Sequence, residues 1–561
     1  MKKYNHILKI ITLSLAMLVI SSACSEDFLE VTNPNRLALS SFYKTPQDAE
    51  FAVNVCYTPQ MHRGLFALNW WTLFNTFSDR ILFETTGLDN MNINSGNGFV
   101  RNMWLDCYRM LWRSSHVIHN IQLNQEVMGL EDETVTDYVA QLKAIQGMAY
   151  FFLVTIFDRP HFYDENSLPE DPEMIYGNSD QVLFWEGLEA SLDYAIANLP
   201  ETVEAADYGR MTKGMAQSLL GKALLWKYYH YYMRFDGSLT TEAKADLEKA
   251  QQLLHDVIYS GNYALMQPVD PSNQLDVINA FECNFAYIDI PTSVEGQFYD
   301  SENNSESIWE IQYSDERLDN VWLGGWLSTS NLLAQYFSGH VNSYKNHEVH
   351  PDLYYAFEDV TGHPAGFEKD PRVHGTLYMD GDHLDFRGNE YDVPYATGTH
   401  NKRIAQNRGL NRPGQPSGSF GLKKYHYPTY VETVAPGGCP NNVRYIRLSD
   451  VMLLYAEVSM LLEDDDLGIV ELNKVRARVG MPPKSAPITP EMIMNEREYE
   501  LALEGHRFLD LIRWSYDPQF AIDWVEIFDS NIFTVGKNEY LPIPQFEIDV
   551  NQGGLEQNPG W

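Results

Sequence analysis

The sequence predicts a mainly α-helical chain interrupted by one long irregular excursion. Three observations predict this. Apolar residues recur at helical spacing in several segments between Pro46 and Gly261. The same spacing returns, with clear start and stop signals, from Arg444 to Trp514. Between them, Pro268 to Asn442 has no long amphipathic period and is rich in Gly, Pro, Asn and aromatic residues. The 561 residues, 44% of them hydrophobic, are ample for a large core.

The first 23 residues are a targeting segment rather than part of the fold. Lys2, Lys3 and Lys9 form a basic region, and Ile10 to Ile20 is an apolar run too short to span a bilayer comfortably. Ser21, Ser22 and Ala23 then precede Cys24. Small residues directly before a cysteine look like a lipobox, although Ser21 stands where the strict pattern has Leu. Cys24 is therefore the expected site of cleavage and lipidation. No later stretch is expected to be long and apolar enough to cross a membrane, so the lipid would be the only anchor.

The elements follow in order. A first helix is expected from Pro46. Trp70, Trp71, Phe74 and Phe77 lie in another helix-like run, followed by Ser78, Asp79 and Arg80. Glu84 to Phe99 is polar and carries Gly87, Gly96, Gly98 and several asparagines, so it is a loop. Asn102 to Gln125 is a helix with Met103, Cys107, Leu111, Val117 and Ile121 inward. Helices are also expected at Asp137–Asp158, Asp180–Asn198, Thr212–Tyr232 and Thr241–Gly261. Ser307 to Tyr313 (SIWEIQY) has the character of a strand.

Three helices are legible near the C-terminus. Leu448, Val451, Met452, Leu454, Tyr455, Val458 and Leu461 form the apolar face of one, which Ser449 and Asp450 start and the acidic run Glu463 to Asp466 ends. Val470, Leu472, Val475 and Val479 belong to the next, which stops at Gly480 before Pro482 and Pro483. The third has Thr489 as N-cap and Pro490 at its first position, and runs to Trp514. It carries Glu496, Arg497, Glu500, Glu504, Arg507, Asp510 and Arg513. Arginine neighbours keep carboxylates ionised, so these charges are expected to be an ion-pair scaffold rather than catalytic acids.

The formal charge is −37, from 77 acidic and 40 basic residues, which excludes nucleic acid as a partner. Cys56, Cys107, Cys283 and Cys439 show no C-x-x-C spacing and are expected to be buried small hydrophobes. Glu504-Gly505-His506 is not H-E-x-x-H, and no metal or cofactor motif occurs.

Tyr445 to Glu457, Leu472 to Gly480 and Glu496 to Trp514 resemble the C-terminal signature of the SusD/RagB family of surface glycan-binding lipoproteins. Tyr499 departs from it, the family more often having a valine there. The run LPIPQFEIDVNQGGLEQNPGW from Leu541 is similar to the family's closing segment, and AYFFLVTIFDRP, TKGMAQSLLGKALLW, IYSGNYAL and SIWEIQY resemble earlier family patterns. The resemblance implies a TPR-like scaffold of helical pairs. It implies one SusD-like domain over residues 24–561, divided into an N-terminal scaffold (36–265), an irregular ligand face (266–443) and signature helices with a tail (444–561). Ser25, Glu26 and Asp27 resemble the acidic tag that sends such lipoproteins to the surface of the outer membrane.

The implied function is capture of oligosaccharide or polysaccharide and its delivery to a SusC-like TonB-dependent transporter, without catalysis or cofactor. Two alternatives stay open: a peptide-binding member of the same family, and a glycoside hydrolase, which needs two carboxylates at a defined separation. Ligand contacts are sought among loop aromatics, because core aromatics usually sit in regular elements. Trp322 and Trp326 flank two glycines in NVWLGGWLS, where platform and core both fit. Tyr299 and Trp70 are further aromatic candidates. Asp79, Arg80, Asn90 and Asn92, with Asn94 beside them, can supply directional hydrogen bonds to hydroxyl groups.

Overall fold

The computed structural model describes residues 42–83, 88–168, 175–314, 330–337, 347–359, 361–378, 383–386, 389–392, 420–425, 439–528 and 531–561. Thr45 starts the first helix, α1 (Pro46–Tyr57). Its hydroxyl accepts from the Asp48 N–H, and the Asp48 carboxylate accepts from the Thr45 N–H at 2.9 Å. Pro46 fits at the first position because no N–H is needed there. The short helix α2 (Asn69–Thr76) is buried at every residue.

The scaffold continues with α3 (Gly98–Met128), α4 (Asp132–Phe157), α5 (Gln181–Asn198), α6 (Lys213–Lys227) and α7 (Thr241–Ile258). Asn97, Asp180, Thr212 and Thr240 cap four of these through side-chain oxygens. Each helix packs on the next in sequence. Gly147 permits the close approach of α4 to α5, since a Cβ there would lie 2.7 Å from Leu192 Cγ. The helix expected to run to Tyr232 instead turns π-helical over Tyr228–Met233. That widened turn aims Tyr229 at Glu457 (2.8 Å) and His230 at the Tyr540 hydroxyl (3.0 Å).

One expectation is corrected at α4. Beyond the N-terminus no stretch was expected to suit a membrane, yet α4 is long and apolar enough by composition. It is a core helix: Val139 to Phe157 is buried almost throughout, between α3 and α5.

After α7 the chain makes α8 (Gln274–Glu282) and then short strands and helical turns. The strands that fix the excursion are β1 (Ile81–Phe83), β2 (Ser307–Ile311), β3 (His347–Val349) and β4 (Val443–Arg447). β2 pairs antiparallel with β4, Val443 opposite Ile311, so the excursion leaves and returns at one place. β1 pairs antiparallel with β3, Ile81 opposite Val349. β4 runs directly into α9 (Leu448–Leu461), which packs on α7 and on α10 (Asp465–Arg478) and so extends the stack.

The last expected helix is two. α11 (Pro490–Glu500) ends before a tight turn, and α12 (Arg507–Ser515) follows it. Leu503 and Gly505 both have positive φ, +63° and +78°. At Gly505 only glycine fits, because a Cβ would stand 2.4 Å from Trp70 Nε1. The helical period survives across this break, which is why the sequence hides it. A short helix, α13 (Gln545–Val550), lies in the closing segment. The four cysteines named above are buried, and none forms a disulfide with another described residue.

Candidate functional site

The charges of α11 and α12 are inside the protein. Glu500, fully buried, meets Arg447 at 2.6 Å and Arg372 at 3.1 Å, and also pairs with Arg478. Arg372 and Arg476 hold Glu496 at 2.7 and 2.5 Å. Arg447 and Lys424 hold Glu504 at 2.8 and 2.7 Å. On the opposite side Arg497 bridges Asp450 and Asp510, each at 2.8 Å, while Arg513 joins Asp510 to Glu457. Burial opposes ionisation of Glu500, but Arg478, Arg447 and Arg372 outweigh it and hold its carboxyl well below the usual range. A carboxylate so held cannot donate a proton near neutral pH. The ion-pair expectation is met, and these groups lock α11 and α12 to β4, α9 and α10.

A third set of pairs reaches the loop side. Arg507 pairs with Asp79 (2.5 Å) and Glu498 (2.9 Å), and Arg80 pairs with Glu498 (2.5 Å) and Asp79 (2.7 Å). Burial of Asp79 works against its charge, yet Arg507 and Arg80 bring its pKa down to about 2. Asp79 and Arg80 thus spend their hydrogen-bonding capacity on α11 and α12. They fasten the corner from which β1 begins, and the Arg80 carbonyl accepts from the His350 N–H (2.8 Å) at the end of β3. Phe83 stacks on His347 across these strands at 4.2 Å.

Past β1 the loop alternates. Leu88, Met91 and Ile93 point inward and are buried, while Asn90, Asn92 and Asn94 are exposed between them. Asn94 accepts from the Gly96 N–H (2.9 Å), as a turn residue does. Asn90 and Asn92 make no side-chain hydrogen bond to another described residue and are presented to solvent. The ends of neighbouring loops meet nearby in the chain's pairing: Asn331 bridges Cys439, and Val349 bridges Phe420.

Two aromatic candidates stand elsewhere. Trp70 is only 2% exposed and packs at 4.7 Å from Phe74, 5.0 Å from Phe152 and 5.4 Å from Tyr445. It is core, and no ring face is left for a ligand. Tyr299 is 4% exposed, its hydroxyl accepts from the Val269 N–H (2.8 Å), and it packs in a separate cluster with Ala280 and Cys283. Its strand neighbour Phe298 points the other way and is exposed. Alternation along the strand was the signal that separates the two. Trp322, Trp326 and Cys24 lie outside the described residues.

Comparison with known proteins shows what this chain is similar to. Residues 305–561 match the SusD family. SusD-like protein P25 of Formosa agariphila is 22% identical over 96% of this chain and 97% of its own length. The family match thus covers the C-terminal part of this chain, and similarity to a SusD-like protein extends over nearly its whole length. A second SusD-like protein of that organism, P38, is 23% identical over 91% of this chain and 92% of its own length. Among solved structures, a laminarin-binding SusD-like protein is 22% identical, covers 92% of this chain and 100% of its own, and superposes with a TM-score of 0.67. Surface glycan-binding protein A from Bacteroides thetaiotaomicron in complex with laminarihexaose is 20% identical, covers 92% of this chain and 99% of its own, and gives 0.66. The stacked helical pairs are therefore the TPR-like SusD fold.

Proposed function

We propose that this SusD-like chain captures oligosaccharide at the cell surface and hands it to a SusC-like TonB-dependent transporter in the outer membrane. The observation that carries this reading is the match of the whole fold, over 92% of the chain, to a laminarin-binding SusD-like protein. A binding rather than hydrolytic role is supported by the signature carboxylates, whose charges are consumed by arginine partners. The ligand contacts proposed are Trp322 and Trp326 as ring platforms and Asn90 and Asn92 as hydrogen-bonding groups. Asp79 and Arg80 position the loop that bears the asparagines. Lipidation at Cys24 would tether the whole of residues 24–561, as one domain, beside the transporter.

A glycan array set against a peptide library tests the reading directly. Binding of neutral glucans, with no new reducing ends on prolonged incubation, is the expected result. Binding of peptides alone would put the chain in the peptide-capturing class, and sustained release of reducing ends would make it a hydrolase. Replacing Trp322 or Trp326 by Ala should weaken glycan binding roughly tenfold, since a stacking platform contributes about 1 kcal/mol beyond its buried area and an associated hydrogen bond a similar amount. Unchanged affinity together with a lowered melting temperature would assign that tryptophan to the core.

A further inference from the structure

A cleft of about 670 Å³ opens on α3, outside the set of residues proposed above. Trp104, Tyr108 and Trp112 stand four residues apart and so share one face of the helix. They grade from core to solvent: Trp104 is 3% exposed, Tyr108 is half-buried and Trp112 is 50% exposed. Tyr108 lies 4.7 Å from Trp104 and stacks at 6.2 Å on Tyr163. The facing wall carries His161 and Tyr176, whose rings are 4.5 Å apart. The closing segment forms the rest, with Glu547, Val550 and Asn551.

Three stretches distant in sequence are held here in fixed relation. The Tyr108 hydroxyl donates to the His161 carbonyl at 2.7 Å. Asn551 accepts from the Tyr176 N–H at 2.8 Å and donates back to the Tyr176 carbonyl. Asn178 and the Glu556 backbone exchange two further bonds, at 3.0 and 2.7 Å. The cleft is therefore preformed, and little ordering entropy is left to lose on binding.

Its chemistry is that of a site for a neutral, hydroxyl-bearing ring. Arg109 is paired with Asp106 at 2.6 Å, and Arg101 lies over the Phe546 ring at 4.7 Å, so neither cation is set out for an anion. Burial lowers the pKa of His161, which is neutral at pH 7. Burial also raises that of Glu547, with Arg101 partly offsetting it. Half-exposed aromatic faces beside the polar ends of Glu547 and Gln552 match the apolar faces and hydroxyl edges of a sugar. The volume lies within the roughly 300–1,000 Å³ of small-molecule sites.

We infer that the α3 cleft is a second oligosaccharide-binding site. Its ligand class rests on the glycan-capture reading; its location does not. The cleft adjoins the asparagine loop, because the Ser95 carbonyl, at the end of that loop, accepts from the Gln545 N–H of α13 at 2.9 Å. A glucan long enough to engage both would be held by avidity.

Calorimetry on the full-length protein with laminarihexaose and with soluble laminarin tests this, alongside Trp112→Ala, Val550→Glu at the exposed rim of the cleft, and Trp322→Ala. Two binding events for the hexaose are expected. Trp112→Ala and Val550→Glu should each weaken one of them about tenfold, Trp322→Ala should weaken the other, and all three should lose affinity for the polymer. Both cleft positions are solvent-exposed, so melting temperatures should stay within a degree or two of the parent. Hexaose binding that neither cleft variant changes overturns the second site and leaves the glycan reading standing. No binding of either glucan by the parent protein overturns both.

Discussion

The helices α11 and α12 and the loop after β1 are both crowded with polar side chains, and they use them in opposite ways. On the helices Glu496, Glu500 and Asp510 are buried against arginines, and Glu500 meets three arginines at once. On the loop the apolar residues Leu88, Met91 and Ile93 do the anchoring and the asparagines between them are left outward. A polar group that is buried and paired is a fastening, and one that is exposed and unbonded is available to a ligand. Residue type does not distinguish the two; partners and burial do.

The comparison can be broken most forcefully at Glu500. Glu500→Ala leaves Arg372, Arg447 and Arg478 buried without their shared counter-charge, and should destabilise the protein by about 3–5 kcal/mol. Denaturant unfolding of the purified variant measures it. A loss under ~1 kcal/mol would mean that the network is not what joins these helices to the strands.

Acid should have the next largest effect, and its sign follows from the depressed carboxylates. Asp79 titrates at about 2 when folded, and Glu500, Glu504 and Asp510 are also lowered, burial in each case being outweighed by cationic partners. Groups with depressed folded pKa values contribute stability that is whole above their unfolded values, near 4, and is lost as pH falls through the folded ones. His506, lowered to about 4 chiefly by burial, contributes above its unfolded value near 6.5 and loses it on the way down to 4. Stability should thus fall in two stages, gently from pH 6.5 to 4 and steeply toward pH 2. Denaturant midpoints across that range would reveal it, and a flat profile would contradict the charge assignments.

The smallest effect on the fold is expected on the loop. Asn90→Ala and Asn92→Ala should change stability by less than ~0.5 kcal/mol. Each should weaken glycan binding roughly fivefold if its amide donates one hydrogen bond to the ligand, worth about 1 kcal/mol. Calorimetry beside thermal unfolding separates the two quantities, and a stability loss as large as that of Glu500→Ala would erase the contrast.

Most of the scaffold was legible because caps and apolar spacing are local signals. Thr45, Asp180, Thr212, Thr240 and Thr489 all start helices where their side chains can accept from the first turn. The break between α11 and α12 was not legible, since it depends on Trp70 standing against Gly505 from over four hundred residues away. Trp70, which the sequence read as core more readily than as platform, is core. Asp79 and Arg80 suggested ligand contacts because their partners, Arg507 and Glu498, are equally distant in sequence. The four-residue spacing of Trp104, Tyr108 and Trp112 on α3 was not singled out, because part of the wall that makes it a cleft comes from the far end of the chain.

That far end has a bearing on how the protein is made. The Leu541 N–H donates to the Ile156 carbonyl at 2.8 Å, and the Asn558 amide donates to the carbonyls of Phe157 and Leu541 at 3.1 and 2.8 Å. Phe157 and Asn558 are 401 positions apart. The last carbonyls of α4 therefore wait, during synthesis, for donors that lie about 400 positions further along the chain. The helical stack can begin to assemble from its N-terminal side, but the α4 end is closed by Leu541 and Asn558. A chain that stops short of Leu541 leaves the last carbonyls of α4 without these donors.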